Sequence, residues 1–452
     1  MNRKVYIFLN ILIPILAGAG IFALVYYITS NKTSDSEKFN NGPVYKLTDS
    51  ISGNDLVPDS DPSSSKPFLF FNEPDPTGGS VNYGPHTELF EVINGKVKIS
   101  AGPPPSSIQK NQDGHYIENR KMIRMTSKKK YNSGLFIISA DHMPEGNGVW
   151  PAFWLNAPEH WACDGEIDII EGVNSIDSSS SYNGTALHTN DKVVGGQLIQ
   201  CRQPKSTNGS TDCTMGDGMT CGCKTDANGK GIERCPTKGC GLKMNSPVSF
   251  GNGFNKVGGG IYATELTPDG FINIWFFKKG DEPSDINSDS PDPSKWVGTS
   301  RVTYEPCPGQ FANLQMILNT CLCGGWAGNV FNGGIAKGGG IDKCKDYIQT
   351  ADLSNAYWLV NYIKVFMRSD SANAPIIPTK PSGTCYGDGE DPFGGVPCSK
   401  GQCCPGTNLC FHPKQAGTNY NNNYTCQSVP CTSTIKAPPC GNLKTCKQPM
   451  CV

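Results

Sequence analysis

The chain has 452 residues, a formal net charge of −1 and only 17% charged residues. This near-neutral balance argues against a nucleic-acid-binding protein, because such proteins carry a basic patch or stripe. The 52 glycines and 34 prolines indicate many turns and favour short strands over a helical bundle. The 21 cysteines indicate disulfides and therefore an exported protein, since cytosolic thiols are kept reduced.

The N-terminal segment is apolar. Residues 5–28 contain no charged side chain and are long enough to cross a bilayer as one helix. Two basic residues precede this run, so the positive-inside rule leaves the N-terminus in the cytosol. We therefore predict a transmembrane signal-anchor at residues 1–28, a polar stalk at 29–43 and a single-pass protein at the cell surface. The alternative is a signal peptide cut near residues 17–19, which would give a secreted protein.

Four Asn-X-Ser/Thr tripeptides agree with an exported protein. Each is a candidate N-glycosylation site, and the asparagines are Asn31, Asn183, Asn208 and Asn423. Because such tripeptides are common by chance, they support the predicted compartment without establishing it.

Residues 44–370 alternate short apolar runs with clusters of Gly, Asn, Asp and Pro. Several runs are rich in β-branched and aromatic residues and predict strands at 135–139, 166–170, 271–277, 314–318 and 360–366. No long segment shows the 3.6-residue periodicity of an amphipathic helix. We therefore predict an all-β sandwich that spans residues 44–370 as one domain.

Two segments are rich in cysteine. Six cysteines lie between residues 201 and 240 without apolar periodicity, which indicates a surface loop held by disulfides. A zinc site around Cys221-Gly-Cys223 is the alternative, although its spacing is unusual for zinc. After a Pro/Ser linker at 371–384, the ten cysteines of residues 385–452 predict a small disulfide-rich accessory module. Eleven cysteines lie between 163 and 344, and this odd number predicts one free thiol there.

The segment 166–171 carries three acids in an apolar, strand-like context. Alternate residues of a strand share a face, so Glu166 and Asp168 point the same way. Glu171 returns to that face only if a β-bulge near Ile169 and Ile170 adds one residue. Repulsion among such carboxylates keeps one protonated while another is ionised, which suits the acid and the nucleophile of a glycosidase. The spacing alone admits both retaining and inverting geometry, and a solvated strand face is the alternative without function.

Aromatic residues accompany these acids. Trp rings offer flat apolar faces to sugars, and the candidate sugar-binding residues are Trp150, Trp154 and Trp326. A core position is the alternative for Trp150 and Trp154, whereas the Gly-rich surroundings of Trp326 predict exposure. His188 follows Glu171 by 17 residues and joins the site only if a hairpin brings it beside the acids.

Together with 166–171, six segments occur in an order typical of one family, at 75–84, 127–154, 186–191, 258–285, 323–331 and 356–366. Through them the sequence resembles glycoside hydrolase family 16, in its fungal laminarinase and endo-1,3(4)-β-glucanase branch. The resemblance implies a concanavalin-like β-jelly-roll sandwich with a glucan cleft. It further implies that Glu166 is the nucleophile of a retaining reaction, Glu171 the acid/base and Asp168 an assisting carboxylate. It implies no organic cofactor and no catalytic metal.

We accordingly expect a retaining endo-β-glucanase that hydrolyses β-1,3 or mixed β-1,3/1,4 glucan. A cell-wall glucan transglycosylase with the same acids is the alternative. A non-catalytic β-glucan-binding protein is a further alternative, although it would be expected to lack the two glutamates. The expected partners are β-glucan and the membrane, with no nucleic acid. The cysteine spacing at 398–410 resembles part of a hevein-type domain, which makes cell-wall carbohydrate a candidate ligand of the C-terminal module.

Overall fold

The computed structural model describes residues 44–157 except 113, and residues 165–175, 181–189, 200–214, 239–296 and 300–369. Beyond these ranges it gives only the backbone of short strands. The predicted signal-anchor, stalk and linker lie outside the described residues, as does most of the C-terminal module. Within the described ranges, no helix is long and apolar enough to cross a membrane.

The main part of the chain is built from strands joined by turns. In chain order the strands are β1 Tyr45–Ile51, β2 Phe68–Phe70, β3 Val81–Tyr83, β4 Phe90–Ile93, β5 Lys96–Ser100, β6 Arg120–Met122, β7 Arg124–Ser127, β8 Gly134–His142, β9 Val149–Asn156, β10 Glu166–Glu171, β11 Gly184–His188, β12 Lys192–Val194, β13 Gln197–Ile199, β14 Cys240–Lys243, β15 Gly260–Leu266, β16 Ile272–Lys278, β17 Ser300–Tyr304, β18 Gln315–Leu322 and β19 Tyr357–Arg368. The α-helices are α1 Gly251–Lys256 and α2 Ile341–Ile348. Single turns of 3₁₀ helix lie at Gly53–Leu56, Thr87–Leu89, Pro293–Lys295, Phe331–Gly333 and Ile335–Lys337, and one wider π turn lies at Gly324–Gly328.

Two large sheets contain most of these strands, and all pairings within them are antiparallel. One sheet has the order β17-β16-β15-β8-β19-β5-β4, with β1 also paired to β19. The other has the order β14-β11-β10-β9-β18-β7-β2. Central neighbours such as β8 and β19, or β9 and β18, are far apart in the sequence. Long connections between the sheets therefore bring distant segments together in the middle of each sheet.

The main core lies between the two sheets. Ile138 and Tyr262 of the first sheet share one buried cluster with Phe153, Ile167 and Leu318 of the second. Two antiparallel sheets packed face to face over a common core form the all-β sandwich that the sequence predicts. The five apolar runs singled out in the sequence correspond to β10, β8, β16, β18 and β19, so these strand predictions are confirmed.

The two α-helices of the described residues were not predicted. α1 has six residues and α2 has eight, so neither is long enough to show a helical apolar period. The sequence of α1 also contains two glycines, which are typical of turns. Both helices belong to the connections between strands and do not alter the all-β class.

Disulfides hold the long connections of the sandwich. The structure pairs Cys201 with Cys307, Cys213 with Cys240 and Cys323 with Cys344. These bridges confirm disulfides in the part of the 201–240 insert that is described, whereas Cys221-Gly-Cys223 lies outside the described residues. Cys321 is free and buried, which agrees with the predicted unpaired thiol.

The C-terminal region contributes short backbone strands. They are β20 Thr384–Tyr386, β21 Gly395–Pro397, β22 Gln402–Cys404, β23 Leu409–Phe411, β24 Cys446–Lys447 and β25 Met450–Cys451. β21, β20, β23 and β22 form one small sheet in that order, and β24 pairs with β25. The predicted disulfides of this module lie outside the described residues.

Candidate active site

Strand β10 lies in the seven-stranded sheet between β9 and β11, and it contains an irregularity. Between Asp168 and Ile170 the register advances two residues on β10 but only one on β9. Ile169 is therefore the extra residue of a β-bulge, as the sequence predicts. Because of the bulge, Glu166, Asp168 and Glu171 line one pocket on the face away from the core.

A buried amide closes this bulge. Asn183 stands one residue before β11, and its Oδ1 accepts a hydrogen bond from the backbone N–H of Glu171 at 2.9 Å. Its Nδ2 donates to the backbone carbonyl of Ile169 at 2.8 Å. Asn183 thus satisfies two backbone groups at the point where the extra residue interrupts the β10–β11 ladder.

The prediction that Asn183 carries a glycan is therefore wrong for the folded protein. Its exposed fraction is 0%, and both polar atoms of its amide are bonded inside the sheet. A glycan at Nδ2 would have no room. Asn208 lies on the surface and stays a candidate. Its Nδ2 makes a long hydrogen bond, of 3.4 Å, to the carbonyl oxygen of Gly239. Asn31 and Asn423 lie outside the described residues.

The pocket is small, with a cavity volume of about 60 Å³, and it combines acids, aromatic rings and one arginine. Its lining comes from the central strands β7, β9, β10 and β18 and from the connection before β3. The lining residues are Asp75, Thr77, Arg124, Trp150, Ala152, Trp154, Glu166, Asp168, Glu171, Asn319 and Cys321. The fold therefore joins the three predicted acids to two of the three predicted tryptophans.

Burial sets the protonation of two of the acids. Removal from water raises the pKa of Asp168 to about 8. Burial also raises the pKa of Glu171 to about 8, and the nearby charge of Asp168 acts in the same direction. The indole N–H of Trp150 donates to Oε1 of Glu171 at 2.9 Å and opposes this shift in part, because it favours the ionised carboxylate. Burial therefore favours the protonated form of both groups.

His188 lies beside the acids. The antiparallel pairing of β10 with β11 sets it directly opposite Glu166, so the predicted hairpin does bring it to the site. Nε2 of His188 is 3.1 Å from Oδ2 of Asp168 and 3.7 Å from Oε1 of Glu166. One ligand atom from each of these three residues lies within 4.8 Å of the others. Of the two contacts of His188, only the one to Asp168 is within hydrogen-bonding distance.

The tryptophans differ in exposure. Trp326 is 38% exposed, as predicted, and its ring meets that of Trp150 edge to face at a centroid distance of 5.8 Å. Trp154 is only 6% exposed, and its Nε1 donates to Oδ1 of Asn319 at 2.8 Å. Trp154 therefore combines the core position considered as its alternative with a place in the pocket lining. Sugar binding by these rings stays a prediction.

Several pocket residues were not predicted. Arg124 lies with its guanidinium carbon 4.2 Å from the ring centre of Phe71 and 5.1 Å from that of Trp154, and burial lowers its pKa. Asp75 accepts the N–H of Gly79 at 2.8 Å and lies 3.5 Å from the Cys321 thiol. A sequence signal existed for Arg124, because it interrupts the apolar run Met122–Met125. Asp75 offered no such signal, since it lies in a turn-rich segment.

The chain was next compared with known proteins. A family model described as "XgeA-like, catalytic GH16 domain" matches residues 68–366. The chain belongs to glycoside hydrolase family 16. This confirms the family resemblance and assigns the sandwich to the β-jelly-roll fold of that family. The acids, the bulge and the pocket described above all lie within the matched residues.

Individual family members agree with this assignment. An endo-1,3(4)-β-glucanase of Arthroderma benhamiae is 34% identical over 70% of this chain, and the match covers 64% of that relative. A solved elongating family 16 β-1,3-glucosyltransferase is 30% identical and covers 72% of this chain and 100% of its own, with a TM-score of 0.54. The family 16 laminarinase 16A of Phanerochaete chrysosporium, solved with β-glucans in donor and acceptor sites, is 27% identical with the same coverage and TM-score.

Proposed function

We propose that this protein is a retaining endo-β-glucanase that hydrolyses β-1,3 or mixed β-1,3/1,4 glucan. Family membership and the endo-1,3(4)-β-glucanase relative support the reaction class. The observation that carries the proposal is the shared pocket of Glu166 and Glu171. There, burial favours the protonated form of Glu171, and Oε1 of Glu166 lies 3.7 Å from Nε2 of His188. A retaining glycosidase needs two carboxyl groups in one site, one as the acid and one as the nucleophile.

The roles of the two glutamates follow from their surroundings. Glu171 holds a proton and donates it to the glycosidic oxygen as the bond to the leaving sugar breaks. Glu166 attacks the anomeric carbon from the opposite side and forms a covalent glycosyl–enzyme intermediate. Glu171, now a carboxylate stabilised by the Trp150 N–H, removes a proton from water. The resulting attack releases the sugar and frees Glu166.

Asp168 and His188 assist without touching the scissile bond. Burial raises the pKa of Asp168 to about 8 and so favours its neutral form. The neutral form limits the negative charge beside Glu166. His188 lies within 3.7 Å of both acids and limits their movement. We assign both residues to the orientation of the nucleophile.

The space around the pocket suits a polymer. A wider groove shares one connection with the pocket: Glu73 and Pro74 line the groove, and the next residue, Asp75, lines the pocket. Tyr83 also lines the groove, and its hydroxyl oxygen accepts a hydrogen bond from Asn319 of the pocket at 3.3 Å. A groove on this side of the pocket would accommodate further sugar units, which favours cleavage inside a chain over removal of terminal sugars.

The test is sugar release from defined glucans. Laminarin, mixed-linkage glucan, cellulose and chitin are incubated with the protein and with E166Q and E171Q variants, and reducing ends are counted. We expect release from laminarin or mixed-linkage glucan only, and loss in both variants. Proton NMR of the first product should show the β-anomer. An α-anomer would contradict the retaining mechanism, and an unaffected E166Q variant would contradict the assignment of the nucleophile.

A second candidate is glucan transfer with the same acids. The observation that favours it is the 30% identity to a solved elongating β-1,3-glucosyltransferase. In this reaction a sugar hydroxyl replaces water in the second step. Incubation with laminarin and a fluorescent laminaritriose acceptor separates the two functions. Labelled products longer than the acceptor indicate transfer, and an unchanged acceptor alongside released reducing ends indicates hydrolysis.

Two further proposals concern the rest of the chain. We propose that residues 1–28 anchor the protein at the cell surface, or are cleaved during secretion, and that residues 385–452 form a module with affinity for cell-wall carbohydrate. The disulfides of the catalytic domain support an oxidising compartment. Fractionation of expressing cells into membrane and medium tests the anchor. Pull-down of the module with chitin and insoluble β-glucan tests its ligand.

A further inference from the structure

We propose that Asn183 is the positioning residue of this active site: its amide holds the β-bulge that directs Glu171 into the cleft. The extra residue of a bulge is left without its regular ladder partner. At this bulge the backbone carbonyl of Ile169 and the backbone N–H of Glu171 are both bonded to one side chain, that of Asn183. The inference rests on the proposed role of Glu171 as acid/base.

Asparagine fits this position for a chemical reason. Its amide places one acceptor and one donor side by side, and the bulge presents one N–H and one C=O. Aspartate would keep an acceptor for Glu171 but would set a carboxylate oxygen against the Ile169 carbonyl. Alanine would leave both backbone groups without a bond in a buried site, which is unfavourable.

Asn183 is itself firmly held. Its backbone N–H donates to Oγ of Ser249 at 2.9 Å, and its exposed fraction is 0%. Ser249 in turn donates to the carbonyl of Ser246 at 2.7 Å. The backbone of Asn183 is therefore fixed by the connection that follows β14, on the far side from β10. A short side chain on a fixed, fully buried backbone can impose a geometry on the bulge.

The bulge decides which way Glu171 points. Side chains of a regular strand alternate between faces, so a shift of one residue turns each of them to the opposite face. Without the extra residue, Glu171 would point toward the core instead of lining the pocket with Glu166. A smaller relaxation would still move its carboxyl relative to the glycosidic oxygen, and a displacement of about 1 Å is enough to lower a rate by about 100-fold.

The experiment compares two leaving groups. Laminari-oligosaccharides need a proton from Glu171 on the leaving oxygen, whereas a 2,4-dinitrophenyl β-laminaribioside does not, because dinitrophenolate leaves unaided. Wild type, E171Q, N183A and N183D are assayed on both substrates. For E171Q we expect kcat/KM on the oligosaccharide to fall by about 100-fold or more, and to change by less than about threefold on the aryl substrate. For N183A and N183D we expect the same pattern, with a loss of about tenfold or more on the oligosaccharide alone.

The matched control is N273A. Asn273 is also a buried asparagine with two amide hydrogen bonds, to Glu265 at 3.0 Å and from Thr303 at 2.8 Å, but it lies on the other sheet. We expect N273A to affect both substrates equally. Equal losses on both substrates in N183A and N183D, or wild-type activity in both, would overturn the positioning role. Failure of both variants to fold while N273A folds would assign Asn183 a structural role only. If E171Q does not lose activity selectively on the oligosaccharide, the assignment of Glu171 as acid/base is wrong, and this inference is wrong with it.

A readout without catalysis tests the same contact. Asn183 is the first residue of a glycosylation tripeptide, and its bonds to the bulge require it to stay unmodified. Peptide mapping of active protein from a glycosylating host should find Asn183 unglycosylated. The exposed Asn208 of the same chain is the comparison site. A glycan on Asn183 in active protein would contradict the inference.

Discussion

Substitution of Trp150 by Phe should move the alkaline limb of the pH–activity profile to higher pH. The indole N–H donates to Oε1 of Glu171 at 2.9 Å, and this bond favours the ionised carboxylate. A hydrogen bond of this kind distinguishes the two protonation states by about 1 kcal/mol, and one pKa unit corresponds to about 1.4 kcal/mol. Removal of the donor should therefore raise the pKa of Glu171 by about 0.7 from its value of about 8. Since the acid works only while protonated, activity should persist to higher pH.

The assay for W150F is kcat/KM on laminarin across pH 5 to 10, because this ratio reports the ionisation of the free enzyme. The position of the limb is compared and not its height, since loss of the indole also changes sugar contact. W326F is the control: Trp326 touches the Trp150 ring edge to face and makes no bond to Glu171. We expect its limb to stay where wild type has it. A W150F limb that is unmoved or shifted to lower pH would refute the reasoning.

Three further outcomes follow from the site and the disulfides. E171Q should lower kcat/KM on laminarin by about 100- to 10,000-fold, and a smaller effect would remove Glu171 from the acid/base role. The raised pKa of Asp168 means that the folded state holds a proton that the unfolded state releases near pH 4. This contribution to stability is complete below pH 4 and is lost as pH rises through about 8. Between pH 5 and 8 the Tm of D168N should therefore fall less than the Tm of the wild type. Parallel curves of Tm against pH would contradict this prediction. The Cys201–Cys307 bridge has a sequence separation of 106, and the Cys213–Cys240 bridge has one of 27. Because a disulfide that closes a longer loop restricts the unfolded chain more, loss of Cys201–Cys307 should lower the free energy of unfolding in urea by about 1 kcal/mol more than loss of Cys213–Cys240. The reverse order would contradict this loop-entropy argument.

Local sequence patterns were sufficient for the strands and for the shared face of the three acids. Runs such as 135–139 are apolar without alternation because β8 is covered on both faces: Ile138 packs in the core between the sheets, and Ile137 packs with Trp275 on the outer side. The acids were predictable because two-residue alternation with one extra residue is a rule of the strand itself. The position of His188 was left conditional on a hairpin, and only the pairing of β10 with β11 places it opposite Glu166.

The rest of the pocket could not be predicted because it depends on non-local pairing. Arg124 reaches the site only because β7 pairs with β18, whose sequence lies about 190 residues further along, and β18 in turn pairs with β9. Asn183 matched a surface motif, and only the three-dimensional ladder shows that its amide is used inside the sheet. The two short helices also depend on contacts with their surroundings, because six or eight residues do not form a stable helix alone.

The bulge accounts for two features that a regular strand would not combine. It sends both Ile169 and Ile170, at 0% and 1% exposure, into the core, and it returns Glu171 to the cleft face. On the cleft face, burial is the first cause of the raised pKa of Glu171. The bulge therefore directs Glu171 into the pocket in which its protonated form is favoured. Asn183 closes the irregularity, so a change at this buried residue should reach the reaction through Glu171 although Asn183 contacts no substrate.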